Sequence, residues 1–317
     1  MFRGFIGSLL NKNSADSPPM AMIIAGLSAL QAGQKELTPA YMAKDLYSKN
    51  PALVDSQCVK ILASMAMISA TAYCHHTGTK FNEPDPNMSY VENMLWMMNH
   101  VDPTTGKPNP KYVRCVEKLW ILIAEHEMTC STAALLQTAS ALPDALSALT
   151  SAVSAFYGIL HGGALEVAYK NIAEVGSPAN AQAKVDRVKR KEERLFGYGH
   201  RIYRVTDPRA IHIKAMLDDL KEEVARDSLL QVAFAIDDIA SKDEYFLSRG
   251  LRPNADLFAT FVYKAMGFPA DFILPMTVMS RTQGLMAHWK EAMSAGSPRI
   301  WRPQQIYTGP YGKKFDV

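Results

Sequence analysis

Apolar residues recur at three- and four-residue intervals along most of the chain, the spacing of one face of an α-helix. The pattern predicts helices over SPPMAMIIAGLSALQAG, YVENMLWMMNH, KYVRCVEKLWILIAEHEM and ALSALTSAVSAFYGIL. It continues through AQAKVDRVKRKEERL, PRAIHIKAMLDDLKEEVA, SLLQVAFAIDDIASKDEYFLS and DLFATFVYKAMG. The first of these opens with serine and prolines and ends near glycine, as helix boundaries do. No alternating strand bounded by turn residues stands out. The chain therefore reads as all-α, with ten or more helices. Prolines and glycines gather between residues 82 and 110, a long surface connection, and in SPRIWRPQQIYTGPYG, which reads as an extended arm.

Composition narrows the class. With 317 residues, 48% hydrophobic and 21% charged, the chain can build a large packed core. A net charge of +3 gives no reason to expect a nucleic-acid partner, and no apolar run reads as a membrane span. Cys58, Cys74, Cys115 and Cys130 form no CxxC pair, so neither a structural metal nor a redox dithiol is expected, and the thiols read as buried and reduced. The start, MFRGFIGSLLNKNS, has the makings of a short mitochondrial presequence; the end, KKFDV, is not a peroxisomal signal. The expected compartment is cytoplasmic or mitochondrial, with no secretion.

Candidate chemistry concentrates in FGYGHRIYRVTDPRA, residues 196–210. His200 lies in a glycine-bracketed, flexible turn. Asp207 can cap a helix that starts at Pro208, and Arg209 follows at its first turn. A titratable ring and a fixed guanidinium then face one small volume, which suits a carboxylate beside a carbonyl. LHGGALE sets His161 before two glycines that let a ligand approach the backbone. AEHEMTCST carries His126, PNADLFATF carries Asp256, MSRTQG carries Arg281 and WRPQQIYTGP carries Arg302. By itself Asp256 reads as an acidic residue at a helix N-terminus, and any lone arginine as a solvated surface group.

Taken together and in this order, these motifs closely resemble the citrate synthase family, from about Pro19 to the C-terminus. The resemblance implies a large helical domain (residues 1–161 and 257–317, with the C-terminal arm) and a smaller helical domain (162–256) that closes over the active site. It implies condensation of an acyl-CoA with oxaloacetate, then thioester hydrolysis. Asp256 would take the α-proton, His161 would hydrogen-bond the thioester oxygen, and His200 would polarise the ketone. His126, His200, Arg209, Arg281 and Arg302 would bind oxaloacetate, with Arg302 entering the neighbouring site of a homodimer. Leu195, Phe196, Gly197, Tyr198, Gly199, Arg201 and Arg204 would bind coenzyme A, the loop wrapping its adenine. Acyl-CoA is then a substrate, not a cofactor. The basic helix residues Lys184, Arg187, Lys189, Arg190, Lys191 and Arg194 read as a solvated face balanced by Glu192 and Glu193, and Arg204 as a phosphate contact.

The chain also departs from the family pattern. Roughly seventy N-terminal residues usual in the family are missing. Leu165 and Thr129 stand where asparagine is common, and Leu257, Phe258, Ala259 and Thr260 follow the aspartate where an aromatic-serine-glycine or -alanine pattern is usual. These changes keep the ionisable groups and alter the walls around them, and 17 methionines could make those walls adaptable. The expected product is an alkylcitrate. Ordinary citrate synthesis from acetyl-CoA and citryl-CoA cleavage are the alternatives; a non-catalytic scaffold is disfavoured because His161, His200 and Asp256 are all present.

Overall fold

The computed structural model describes residues 17–34, 45–200, 202–295 and 299–312. The N-terminal presequence candidate, Arg201 and KKFDV lie outside the described residues. Among these residues the fold is all-α, with fourteen α-helices, two short 3-10 turns and no β-strand. In chain order the helices are α1 Pro19–Ala32, α2 Pro51–Thr77, α3 Tyr90–Met97, α4 Pro110–Ile123, α5 Cys130–Ala139, α6 Ala145–Phe156 and α7 Ala164–Val175. Then come α8 Ala181–Lys189, α9 Pro208–Asp219, α10 Lys221–Val224, α11 Ser228–Ala240, α12 Glu244–Ser248, α13 Ala255–Ala265 and α14 Ile273–Ser294.

Four of these, α2, α5, α7 and α14, were not marked by the periodicity. Helix α2 has no narrow apolar stripe, since its buried positions spread around the axis. By length and composition it could cross a bilayer, at a mean hydropathy of 1.3, contrary to the sequence reading. It packs against α14, α1 and α3, the position of a core helix.

Several predicted helices stop early, and the stops matter. Helix α4 was expected to run to Met128 but ends at Ile123. Gly284 of α14 lies so close that an added Cβ would sit 2.2 Å from the Ala124 carbonyl oxygen. Glu127 then turns with φ 58°. The chain thus leaves the helix just before His126. Helix α8 stops at Lys189, and Lys191 takes φ 64°.

Helix α14 threads between α2, α4, α5 and α6, while α7, α9 and α11 pack with α13. The boundary expected after Asp256 falls inside α13, a helix packed mainly on α7 and α9. One continuous apolar core links both groups of helices.

The cysteine expectation needs correcting: Cys74 and Cys115 are buried, Cys58 is half-buried, and Cys130 is exposed. The reading of a solvated basic helix fails at Lys184, which is only 2% exposed and holds Glu193 at 2.6 Å. Arg187 shares Glu193, Arg190 pairs with Glu192, and Lys189 with Asp243. Most of that charge is neutralised within the protein.

Candidate active site

A cavity of about 910 Å³ opens where α5, α7, α9, α13 and α14 meet. Its walls include His126, His161, His200, Arg209, Asp256 and Arg281. Side chains from five separate sequence motifs therefore face one volume.

His161 sits in the turn between α6 and α7. The two following glycines serve this turn's own packing, where the sequence suggested room for a ligand. A Cβ on Gly162 would fall 2.3 Å from the Phe156 ring, and one on Gly163 2.7 Å from the Tyr157 carbonyl oxygen. The His161 ring stands edge-on to Phe156. Its Nε2 accepts from the Ser131 backbone N–H at 3.3 Å and lies 2.8 Å from the Ser131 hydroxyl. A backbone N–H can only donate, so Nε2 carries the lone pair and the proton of the neutral ring is on Nδ1. Burial, reinforced by the Arg281 charge, lowers the His161 pKa to about 4. The ring is therefore neutral at physiological pH, with one N–H to offer.

The GYGH loop is not the flexible turn the sequence suggested. Gly197 and Gly199 have φ of +84° and +82°, where glycine is favoured. The loop is laced to residues 252–254: Gly199 N donates to the Arg252 carbonyl (2.8 Å), Asn254 N to that of Gly197 (2.9 Å) and Asn254 Nδ2 to that of Gly199 (2.8 Å). Asn254 also caps α13 by accepting from Asp256 N. One residue thus ties the His200 loop to the helix start that carries Asp256. His200 Nδ1 accepts from the backbone N–H groups of Ile202 and Tyr203, at 3.1 and 3.2 Å. Its neutral ring therefore keeps its proton on Nε2. The Tyr203 ring stacks on it at 4.6 Å. Burial, then the neighbouring His126 ring and Arg209, lowers the His200 pKa. His126 lies 5.2 Å from His200 between ring centres, and burial followed by Arg209 lowers its pKa too.

Charge in the cavity is arranged around Asp207. It caps α9, as expected, through a bond from Arg209 N. It also grips the Arg209 fork, accepting Nε at 3.0 Å and Nη2 at 2.7 Å, and accepts from Ala255 N at 3.1 Å. Asp207 is 1% exposed and so joins the starts of α9 and α13. Burial disfavours the Arg209 charge, but Asp207 outweighs it and the pKa rises. Asp256 is pushed up by burial and by Asp207, while Arg209 and Arg281 pull it down.

Arg281 is 7% exposed, and its Nε and Nη1 have no protein partner. Burial and the Arg209 charge lower its pKa to about 10. The buried Nε2 of His126 is likewise unpartnered. Unsatisfied buried polar atoms of this kind are costly, and a small dianion beside Arg209 would satisfy the Arg281 donors.

The apolar part of the wall includes Ala155, Phe156, Ile159, Leu160, Leu165 and Ala259. Leu257, Phe258 and Thr260 are buried behind it. Arg302 lies outside this cavity, on an exposed arm whose Trp301 is held by Gln137 and Ser140. Leu195 and Tyr198 are buried, so their side chains serve the core and only backbone remains there for a coenzyme. Phe196 is half-buried and Arg204 exposed.

Sequence reasoning missed three residues. Ser131 orients His161, Asn254 joins loop to helix, and Asp207 does more than cap. Asn254 could have been found as a capping residue two positions before Asp256. Ser131 could not, because its partner is 30 residues away.

The sequence profile described as "Citrate synthase, C-terminal domain" matches residues 4–304. The citrate synthase-like protein oryE of Aspergillus oryzae is 58% identical over 312 residues, 98% of this chain and 70% of that protein. The alkylcitrate synthase phiJ of a fungal species is 39% identical over 308 residues, 97% of this chain and 67% of that one. The chain spans 70% of the length of the oryE protein and 58% of that of the glyoxysomal citrate synthase of Cucurbita maxima. Among solved structures, citrate synthase from Thermoplasma acidophilum, in ternary complex with carboxymethyl coenzyme A and oxaloacetate, superposes with a TM-score of 0.84. It is 28% identical, over 98% of this chain and 78% of that one. The chain belongs to the citrate synthase family.

Proposed function

We propose that this protein condenses an acyl-CoA longer than acetyl-CoA with oxaloacetate and hydrolyses the thioester, releasing an alkylcitrate and free coenzyme A. The observation that carries this reading is one cavity holding a half-buried carboxylate, two neutral histidines with free N–H groups, and a buried guanidinium with two unpartnered donors. Asp256 takes a proton from the acyl α-carbon. Burial raises the carboxylate's pKa and makes it a stronger base, while Arg209 and Arg281 favour its charged form. His161 Nδ1–H meets the thioester oxygen as it gains charge. The enol carbon then bonds to the ketone carbon of oxaloacetate, whose oxygen is met by His200 Nε2–H. Arg209, Arg281 and His126 hold the carboxylates. Water finally cleaves the thioester of the condensed intermediate.

Within this reading the helices from α7 to α13 move against the rest, and coenzyme A binds between them with Arg204 near its phosphates. Arg302, outside its own chain's cavity, would serve the site of a second copy in a homodimer. An Arg302→Ala chain mixed with an Asp256→Asn chain should recover part of the activity, and no recovery after confirmed subunit exchange would remove that assignment. The compartment proposed is cytoplasm or mitochondrion, where the four free thiols stay reduced.

The longer acyl chain rests on Leu165 and Ala259, which line the cavity in two motifs that depart from the family pattern, and on the likeness to alkylcitrate synthases. Coenzyme A release from a panel of acyl-CoAs, with and without oxaloacetate, tests it. The kcat/KM should rise from acetyl- to at least butyryl- or hexanoyl-CoA, by about 0.8 kcal/mol for each CH₂ buried. A steady fall from acetyl-CoA onward points to ordinary citrate synthesis. Release from citryl-CoA in preference to condensation points to the lyase.

A further inference from the structure

Tyr198 stands two residues before His200, and Phe258 two residues after Asp256. Both lead to one polar group outside the cavity. The Tyr198 hydroxyl donates to Asp237 Oδ1, and Asp237 Oδ2 accepts from Lys214 Nζ at 2.7 Å. That ammonium sits 4.6 Å over the Phe258 ring. Tyr198 and Asp237 are 9% and 8% exposed, while Lys214 reaches in from the surface. Tyr198 also packs edge-on against Phe246. The chain of contacts runs from the GYGH loop through α11 and α9 to α13. None of Tyr198, Asp237, Lys214 or Phe258 lines the cavity.

We infer that Tyr198, Asp237 and Lys214 form a positioning relay that sets His200 relative to Asp256. Two observations favour this over a merely stabilising contact. Among the described residues the loop backbone is tied to residues 252–254, and the Tyr198 side chain ties the same loop to a different element, α11. And the acceptor is charged and largely buried, which makes the bond both strong and directional. The relay holds the loop that polarises the ketone but makes no contact with His161, and the helix start that carries Asp256 is fixed separately by Asn254 and Asp207. It should therefore govern condensation and leave α-proton removal alone. The inference rests on the roles given above to His200 and Asp256.

Tyr198→Phe in the full chain keeps the ring and deletes the hydroxyl. Coenzyme A release in the presence of oxaloacetate should fall about tenfold. Exchange of the acyl α-proton in deuterated water, without oxaloacetate, should stay at the parent rate. Amide exchange, read by mass spectrometry, should rise in residues 197–203 and stay unchanged in α1–α6. Lys214→Met should act in the same direction, and Lys214→Arg should restore the parent behaviour. Unchanged release, or a parallel fall of release and α-proton exchange, overturns the relay. So does a Lys214→Met chain indistinguishable from Lys214→Arg. If the parent releases coenzyme A from no acyl-CoA, the functional reading fails by itself. The loop measurement still decides the relay, which is overturned by unaltered amide protection in Tyr198→Phe.

Discussion

His161 belongs to a junction of three helices, α5, α6 and α7, whereas His200 rides on a loop fastened to the segment ahead of α13. Burial is the first cause of a lowered pKa at both, so both rings are neutral. The wiring is opposite. His161 accepts at Nε2 and is left with a proton on Nδ1; His200 accepts at Nδ1 and is left with one on Nε2. The donors differ in origin too. Ser131 comes from another helix, while Ile202 and Tyr203 belong to the loop of His200 itself. Burial decides whether an imidazole is charged, and local donors decide which nitrogen is free to act. One ring is thereby made dependent on tertiary packing and the other on a turn.

Asp256 is common to both halves, so Asp256→Asn should have the largest effect. Turnover should fall by about a hundredfold to ten-thousandfold, because a base is removed with little change of volume. Binding of oxaloacetate should persist, measured by calorimetry, since the arginines and His126 remain. A variant with near-parental turnover would take the role of base away from Asp256.

The histidines should then separate the two halves. His161→Ala should lose α-proton exchange from acyl-CoA as well as condensation. His200→Ala should keep exchange while condensation and oxaloacetate binding fall. Removal of a single stabilising donor of this kind costs about a hundredfold to a thousandfold. Normal exchange in the His161 variant would end the comparison, for the thioester would then be polarised by something else.

How much of this could be read from the chain alone follows the same division between local and distant causes. The Asp207 cap, Pro208 at the first helical position and the glycine-bracketed turn were legible, because each is settled within a few residues. Helix α2 was not, since its buried positions wrap the axis, nor was the end of α4, which is set by Gly284 from 160 residues further on. The six side chains that share the cavity were nameable from their motifs. The engagement of Arg209 by Asp207 and of His161 by Ser131 was not, because neither bond leaves a periodic trace.

Ser131→Ala should have a moderate effect, confined to the His161 half. It deletes the hydroxyl but leaves the Ser131 backbone N–H, so the tautomer should survive with a less firmly held ring. A fall of α-proton exchange by roughly five- to tenfold is expected, the loss of about one hydrogen bond. Ile202→Ala should change nothing at His200, whose donors are backbone groups. In the parent, the exchange rate should show no inflection from His161 near pH 6.5, and protonation of His161 should lower it only as pH approaches 4. The same shift has a stability sign. Because the folded pKa lies below the unfolded one, the unfolded chain takes up the proton first, so stability present above pH 6.5 is lost as pH falls towards 4. Equal exchange in Ser131→Ala and parent would show that the distant donor is dispensable.

The smallest expected effect also lies on the His161 side, one turn into α7. Burial, then the charge of Asp271, raises the Glu166 pKa from 4.5 to about 7. Asp271 itself pairs with His76 at 2.9 Å, so the His161 half carries a linked acidic pair. Between pH 4.5 and 7 the folded protein keeps a proton on Glu166 that the unfolded chain has already released. Stability contributed by this group therefore falls as pH rises through that window, and the deficit is complete above it. Glu166→Gln cannot titrate and has nearly the same shape. Its thermal midpoint should match the parent near pH 4.5 and exceed it above pH 7, a gain on the order of 1 kcal/mol once partial solvent access is allowed for. His161 and the α-proton exchange rate should be little affected at pH 7, because the parent carboxyl is then close to half-protonated and its charge only partial. Superimposable stability profiles for the two proteins across this range would show that Glu166 titrates as an ordinary carboxylate.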